Sequence, residues 1–110
     1  MAQNPLDQLY AQISGCDTLA YFDLSTRIVL LKNTETRESQ DSLNDLCAEA
    51  NVVLRDGDIS LLASADRLTL YLRSTSIPND VLCCICAPDT DVAQVISLGQ
   101  SCLNEITGGA

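Results

Sequence analysis

The residues with the clearest potential for chemistry are three cysteines in one short apolar run. Cys83, Cys84 and Cys86 lie within Val81–Ala87. Thiolates bind zinc and exchange disulfides, but a structural zinc ion takes four ligands. Side chains alternate along a strand, so Cys84 and Cys86 would face one side of the sheet and Cys83 the other. A metal site here would therefore need thiols from elsewhere in the chain.

The remaining thiols do not follow a metal-binding spacing. The chain has six cysteines, and the other three are Cys16, Cys47 and Cys102. Five of the six lie in apolar periodic segments, where reduced cysteine behaves as a small hydrophobic residue. We therefore predict buried free thiols and a reducing compartment, the cytoplasm.

Acidic side chains are abundant but form no catalytic pattern. Fifteen Asp and Glu oppose six Lys and Arg, the net charge is -9, and histidine is absent. Without histidine, Ser-His-Asp triads, Cys-His dyads and His-containing zinc sites are excluded. Asp56 and Asp58 flank a turn glycine, where local hydrogen bonding explains them. We predict no catalytic residue, no metal and no cofactor. The pI of about 4.1 argues against nucleic-acid binding.

Motifs that the sequence lacks exclude further classes of protein. The sequence has no glycine-rich loop ending in Lys-Ser or Lys-Thr, so the chain is not itself a P-loop GTPase. Its longest apolar run, Val81–Ala87, has seven residues, against the roughly 20 that span a bilayer. The first residues lack the basic and apolar regions of a secretory signal. We expect no membrane insertion.

The spacing of apolar residues predicts the elements that position these side chains. The predicted helices begin at Asn4–Pro5, at Thr36 or Ser39, and at Asp89 or Asp91. The predicted strands are Thr18–Asp23, Arg27–Lys32, Ile59–Ser64, Leu68–Arg73 and Val81–Ala87. Residues 52–54 fit either a helix end or a short strand. The order is α-β-β-α-β-β-β-α, an α+β arrangement in one domain over residues 1–110.

The pattern within each strand predicts how it is buried. Consecutive apolar residues in the first two strands indicate burial on both faces of the sheet. Strict alternation in Leu68–Arg73 indicates a half-buried strand. The unbroken apolar run Val81–Ala87 is typical of a central strand, and helices should cover both faces of the sheet there.

With this element order, the sequence resembles the Roadblock/dynein light chain family. The segments that carry the resemblance are residues 16–23, 43–50, 81–87 and 103–106. The resemblance implies a profilin-like fold in which a five-stranded antiparallel sheet has one central helix on one face and the two terminal helices on the other.

The resemblance also implies a function and an interface. Members of this family are non-catalytic homodimers or heterodimers that scaffold or regulate a Ras-like small GTPase, or attach cargo in a motor complex. Their sheets join edge to edge through the third strand, and their central helices pack together. The implied interface residues here are Ile59, Leu61 and Ala63 in the third strand, with Ser42, Asp45 and Glu49 on the exposed flank of the central helix. We expect a homodimer whose acidic surface suits a basic patch on a partner protein.

Two other functions stay open at this point. A PAS-like sensor domain would enclose a small molecule between the sheet and a helix, although three Tyr and one Phe line such a pocket poorly. A thiol-dependent enzyme using Cys16 or Cys102 is the weaker alternative.

Overall fold

A computed structural model describes residues 4–107 of the chain. Its elements are α1 (Pro5–Gln12), β1 (Cys16–Asp23), β2 (Ile28–Lys32), α2 (Gln40–Val53), β3 (Ile59–Ala63), β4 (Leu68–Arg73), β5 (Asp80–Cys86) and α3 (Val92–Thr107). This order confirms the prediction. Residues 1–3 and 108–110 lie outside the described residues, so the single-domain span of 1–110 stays a prediction.

The strands form one antiparallel sheet in the order β2-β1-β5-β4-β3. All seven residues of β5 are buried, which confirms the predicted central strand. Two hydrophobic clusters cover the sheet: α1 and α3 pack on one face, and α2 packs on the other. The α+β profilin-like fold is therefore confirmed, with helices on both faces.

Cysteines contribute to the packing of both faces. Cys84 and Cys86 point into the cluster beneath α1 and α3, whereas Cys83 points into the cluster beneath α2. All six cysteines of the chain are buried and free. Packing is close where α3 crosses the sheet, since a Cβ on Gly99 would lie 2.6 Å from Leu72 Cδ1.

The structure decides between the alternative helix caps. Ser39 caps α2, because its Oγ accepts a hydrogen bond of 3.1 Å from the Ser42 amide. Asp91 caps α3, because its Oδ1 accepts one of 3.3 Å from the Gln94 amide. The helical path of α2 continues to Val53, so the alternative of a short strand over residues 52–54 is wrong.

Two predictions of strand burial are also wrong. In β2, Ile28 is 52% and Leu30 is 47% exposed, because β2 is an edge strand and its pairing with β1 shifts register by a bulge between Tyr21 and Phe22. In β4, both faces are buried, because α2 covers the face that alternation predicted to be exposed. The strand-end predictions differ by a residue or two, as element boundaries commonly do.

Candidate protein-interaction surface

The edge strand β3 is apolar and open to solvent. Its side-chain exposure is 47% at Ile59, 44% at Leu61 and 37% at Leu62. Within the described residues, β3 has a neighbouring strand on one side only, β4. An edge strand of this kind leaves backbone N–H and C=O groups that can pair with another chain.

Register fixes which way the β3 side chains point. Ile59, Leu61 and Ala63 pair with Leu72, Leu70 and Leu68 of β4, respectively. Because Leu70 and Leu72 belong to the cluster beneath α1 and α3, the three predicted β3 residues lie on that face. Leu62, between them, lies on the α2 face.

The three predicted residues of α2 share one flank of the helix by their spacing. Ser42 is half-buried, and its Oγ donates a hydrogen bond of 2.9 Å to Glu38 Oε1. Asp45 and Glu49 are exposed. Glu38 in turn forms a 3.6 Å ion pair with Arg67 in the turn between β3 and β4. This ion pair links the residue that Ser42 contacts to the β3–β4 hairpin.

Glu49 is tied to the sheet by a tyrosine. The buried Tyr71 donates a hydrogen bond of 2.5 Å from its hydroxyl to Glu49 Oε1. Burial, the neighbouring Cys83 and the hydrogen bond to Glu49 all raise the pKa of Tyr71 above its ordinary value. The phenol therefore stays protonated and keeps its role as donor.

A surface groove of about 260 Å³ joins the two halves of the predicted interface. It is lined by Glu49, Leu62, Ala63, Ser64, Arg67 and Thr69. Of the predicted residues, Glu49 and Ala63 line this groove. Ala63 does so at the end of β3, although its side chain shares a face with those of Ile59 and Leu61. Ser42 and Asp45 lie nearer the start of α2. We call Ile59–Ala63 with this flank of α2 the β3–α2 surface.

Sequence reasoning missed two exposed residues of this groove and a third on α2. Leu62 and Arg67 line the groove, and Val52 near the end of α2 is 63% exposed. The sequence did not settle the position of Val52, because residues 52–54 fit either the end of a helix or a short strand. Strand alternation alone could have placed Leu62 opposite Leu61. Nothing in the sequence indicates the ion pair of Arg67 with Glu38.

The structure also places the residues considered for chemistry. Among the described residues, no three His, Cys, Asp or Glu side chains converge as ligands for a metal ion. Within residues 4–107, no helix is both long and apolar enough to cross a membrane. Burial raises the pKa of Cys102 to about 11, with a further contribution from Glu105, so its thiol is a poor nucleophile at neutral pH.

Comparison with known proteins identifies the fold. A Roadblock/LC7 domain from Streptomyces avermitilis superimposes with a TM-score of 0.75 at 11% identity, covering 98% of this chain and 97% of that chain. MglB of Myxococcus xanthus gives a TM-score of 0.76 at 13% identity over 94% of this chain and 89% of its own. MglC of Myxococcus xanthus gives 0.68 at 13% identity over 96% of each.

The chain therefore has the Roadblock/LC7 fold, which confirms the resemblance drawn from the sequence at the level of the fold. No protein-family model matches the sequence, and no curated protein matches it. The similarity is thus one of architecture.

Proposed function

We propose that this protein is a non-catalytic dimeric scaffold or regulator that pairs with a second copy of itself through the β3–α2 surface. The observation that carries the proposal is the apolar edge strand: Ile59, Leu61 and Leu62 are exposed beside a groove that links β3 to α2. Continuing the sheet across a two-fold axis would pair the open backbone groups and remove these side chains from water.

The α2 flank would complete the contact in such a dimer. Glu49 lines the groove beside β3, and Ser42 and Asp45 share its flank of α2. In the proposed dimer, two sheets joined at β3 would bring the two α2 helices close together. In this dimer the negative charges of Asp45 and Glu49 would lie near the two-fold axis. Because charged residues are depleted from the core of protein interfaces, these two side chains are expected at the solvated rim of the interface. The apolar contact then comes chiefly from β3.

The proposed partner of the dimer is a Ras-like small GTPase or another component of a multiprotein complex. The fold and the family resemblance support this assignment, as does the absence of a P-loop in the chain itself. With a net charge of -9 on each chain, the dimer would attract a partner that carries a basic patch, and the attraction would weaken with added salt. The six buried free thiols support a cytoplasmic location.

Two measurements test the proposal separately. Light scattering across a dilution series at about 0.15 M salt should give a dimer whose mass does not change with concentration. A monomer throughout would contradict the homodimer. Titration of the Ras-like small GTPases of the same organism, loaded with GDP or with a GTP analogue, should show binding that depends on the nucleotide. GTP hydrolysis by the protein alone should be absent, and measurable turnover would contradict the non-catalytic assignment.

A further inference from the structure

Two thiols meet across the central strands of the sheet. Cys16 in β1 is the register partner of Cys86 in β5, and their Sγ atoms are 3.3 Å apart. Both side chains are buried, with 7% and 4% of their surface exposed. The proposed function does not involve this pair of thiols.

The backbone around the pair suits a disulfide. The Ala87 amide donates a hydrogen bond of 2.8 Å to the Gly15 carbonyl, so Cys16 and Cys86 occupy a non-hydrogen-bonded position of the antiparallel ladder. At regular positions of this kind the Cα atoms lie about 4.5 Å apart, at the short end of the range in which disulfides form. The register of β1 on β5 shifts by a bulge between Cys16 and Thr18. Joining two sulfurs that already lie 3.3 Å apart therefore needs side-chain rotation and a local adjustment of the backbone at this bulge.

A small apolar crevice lies beside Cys86. It has a volume of about 10 Å³ and is lined by Cys86, Thr90, Leu61, Leu68, Leu70, Val92 and Val95, which is roughly the room that one water-sized molecule needs. Cys86 borders this crevice, whereas Cys16 does not.

We propose that Cys16 and Cys86 are a peroxide-responsive thiol pair. The Cys86 thiolate attacks one oxygen of hydrogen peroxide, the O–O bond breaks, and the departing hydroxide takes a proton to become water. Cys16 then attacks the sulfenic sulfur of Cys86, forming the S–S bond as the S–O bond breaks. The departing hydroxide takes the Cys16 proton. Two thiols lose two electrons, and one peroxide becomes two waters.

The roles of the two sulfurs follow from their positions. Cys86 borders the crevice, whereas Cys16 does not, so Cys86 is the thiol that meets peroxide first. The contact with Cys16 also lowers the pKa of Cys86. Cys16, 3.3 Å away, is then the thiol that resolves the sulfenic acid.

The test is oxidation of the folded wild-type protein by hydrogen peroxide, followed by peptide mapping without reductant. We expect a loss of about 2 Da, a fall from six free thiols by two, and a peptide that links Cys16 to Cys86. A protein that keeps all its thiols in peroxide, or that links another pair, would overturn the proposal. This measurement uses only the wild-type protein, so its result does not depend on whether cysteine variants fold.

Variants assign the individual roles. In Cys16→Ala, Cys86 should stop at the sulfenic acid, which a dimedone probe captures. Cys47→Ala removes a buried thiol from the other face of the sheet and should oxidise like the wild type. A Cys16→Ala protein whose Cys86 captures no dimedone after peroxide treatment would overturn the assigned roles.

Discussion

The Tyr71 hydroxyl lies 2.5 Å from Glu49 Oε1 and joins the middle of β4 to the exposed flank of α2. This bond fixes the carboxylate at the edge of the groove that links α2 to β3. A polar contact therefore adds to the apolar packing of α2 on the sheet, at the place where the β3–α2 surface begins.

Removing this contact should weaken the fold modestly. In Tyr71→Phe the ring still fills its buried position and Glu49 is hydrated, so the free energy of unfolding should fall by about 1 kcal/mol, the usual net value of one hydrogen bond. Glu49→Gln retains an acceptor and should cost less. Urea denaturation of the three proteins measures both values. Equal stability of Tyr71→Phe and the wild type would show that the bond contributes nothing.

A larger loss is expected at Asn33, whose side chain is fully buried. Its Oδ1 accepts a hydrogen bond of 2.8 Å from the Leu19 amide, and its Nδ2 donates one of 3.4 Å to the Asp17 carbonyl. Asn33→Ala leaves a buried amide without a partner, which costs about 1–3 kcal/mol. Asn104→Ala, at an exposed position of α3, is the matched control and should change little. Similar unfolding midpoints in urea for the two variants would contradict this account.

Gly15 should resist substitution for reasons of backbone conformation and space. Its φ is +87°, and a Cβ there would lie 3.0 Å from Thr90 Oγ1. Gly15→Ala should therefore lower the unfolding free energy by about 1–2 kcal/mol. Gly57→Ala is the control, because a Cβ on Gly57 meets only a backbone oxygen at 3.9 Å. Thermal unfolding followed by circular dichroism compares the two, and an equal loss would contradict the assigned cause.

Acid stability should depend in part on Asp23. Hydrogen bonds from Ser25 and Thr26 lower the pKa of this carboxyl from its ordinary value of 3.8, Ser25 contributing most. A carboxyl group whose pKa is lower in the folded than in the unfolded protein stabilises the fold at any pH above its pKa in the unfolded protein. This stabilisation is lost as the pH falls through its pKa in the folded protein. Asp23→Asn should therefore lose less stability than the wild type between about pH 5 and pH 2. Parallel pH profiles of the two proteins would contradict this.

The sequence predicted those features that depend on local pattern. The run Val81–Ala87 indicated the central strand because no polar residue interrupts it. In β4 the alternation of apolar and polar residues led to a wrong prediction of one exposed face. Thr69 and Tyr71 are polar residue types, but both are buried on the face that α2 covers. The exposure of Ile28 depends on which strand lies at the edge of the sheet, and that order is a tertiary property.

The candidate site was predictable only in part, for the same reason. Ile59, Leu61 and Ala63 followed from the family resemblance, which placed the third strand at an edge. The groove between Glu49 and Arg67, and the contact of Cys16 with Cys86, join residues far apart in the chain. Such contacts require the strand register, which spacing along the sequence does not provide.

The most direct test of the β3–α2 surface is the solution mass of two edge-strand variants measured beside the wild type. Leu61 in β3 and Leu30 in β2 lie at opposite edges of the sheet, with similar exposures of 44% and 47%. Light scattering should give the wild type and Leu30→Asp twice the 11.8 kDa mass of one chain, and Leu61→Asp the mass of one chain. A wild-type monomer, or a Leu61→Asp protein that remains a dimer, would contradict the account.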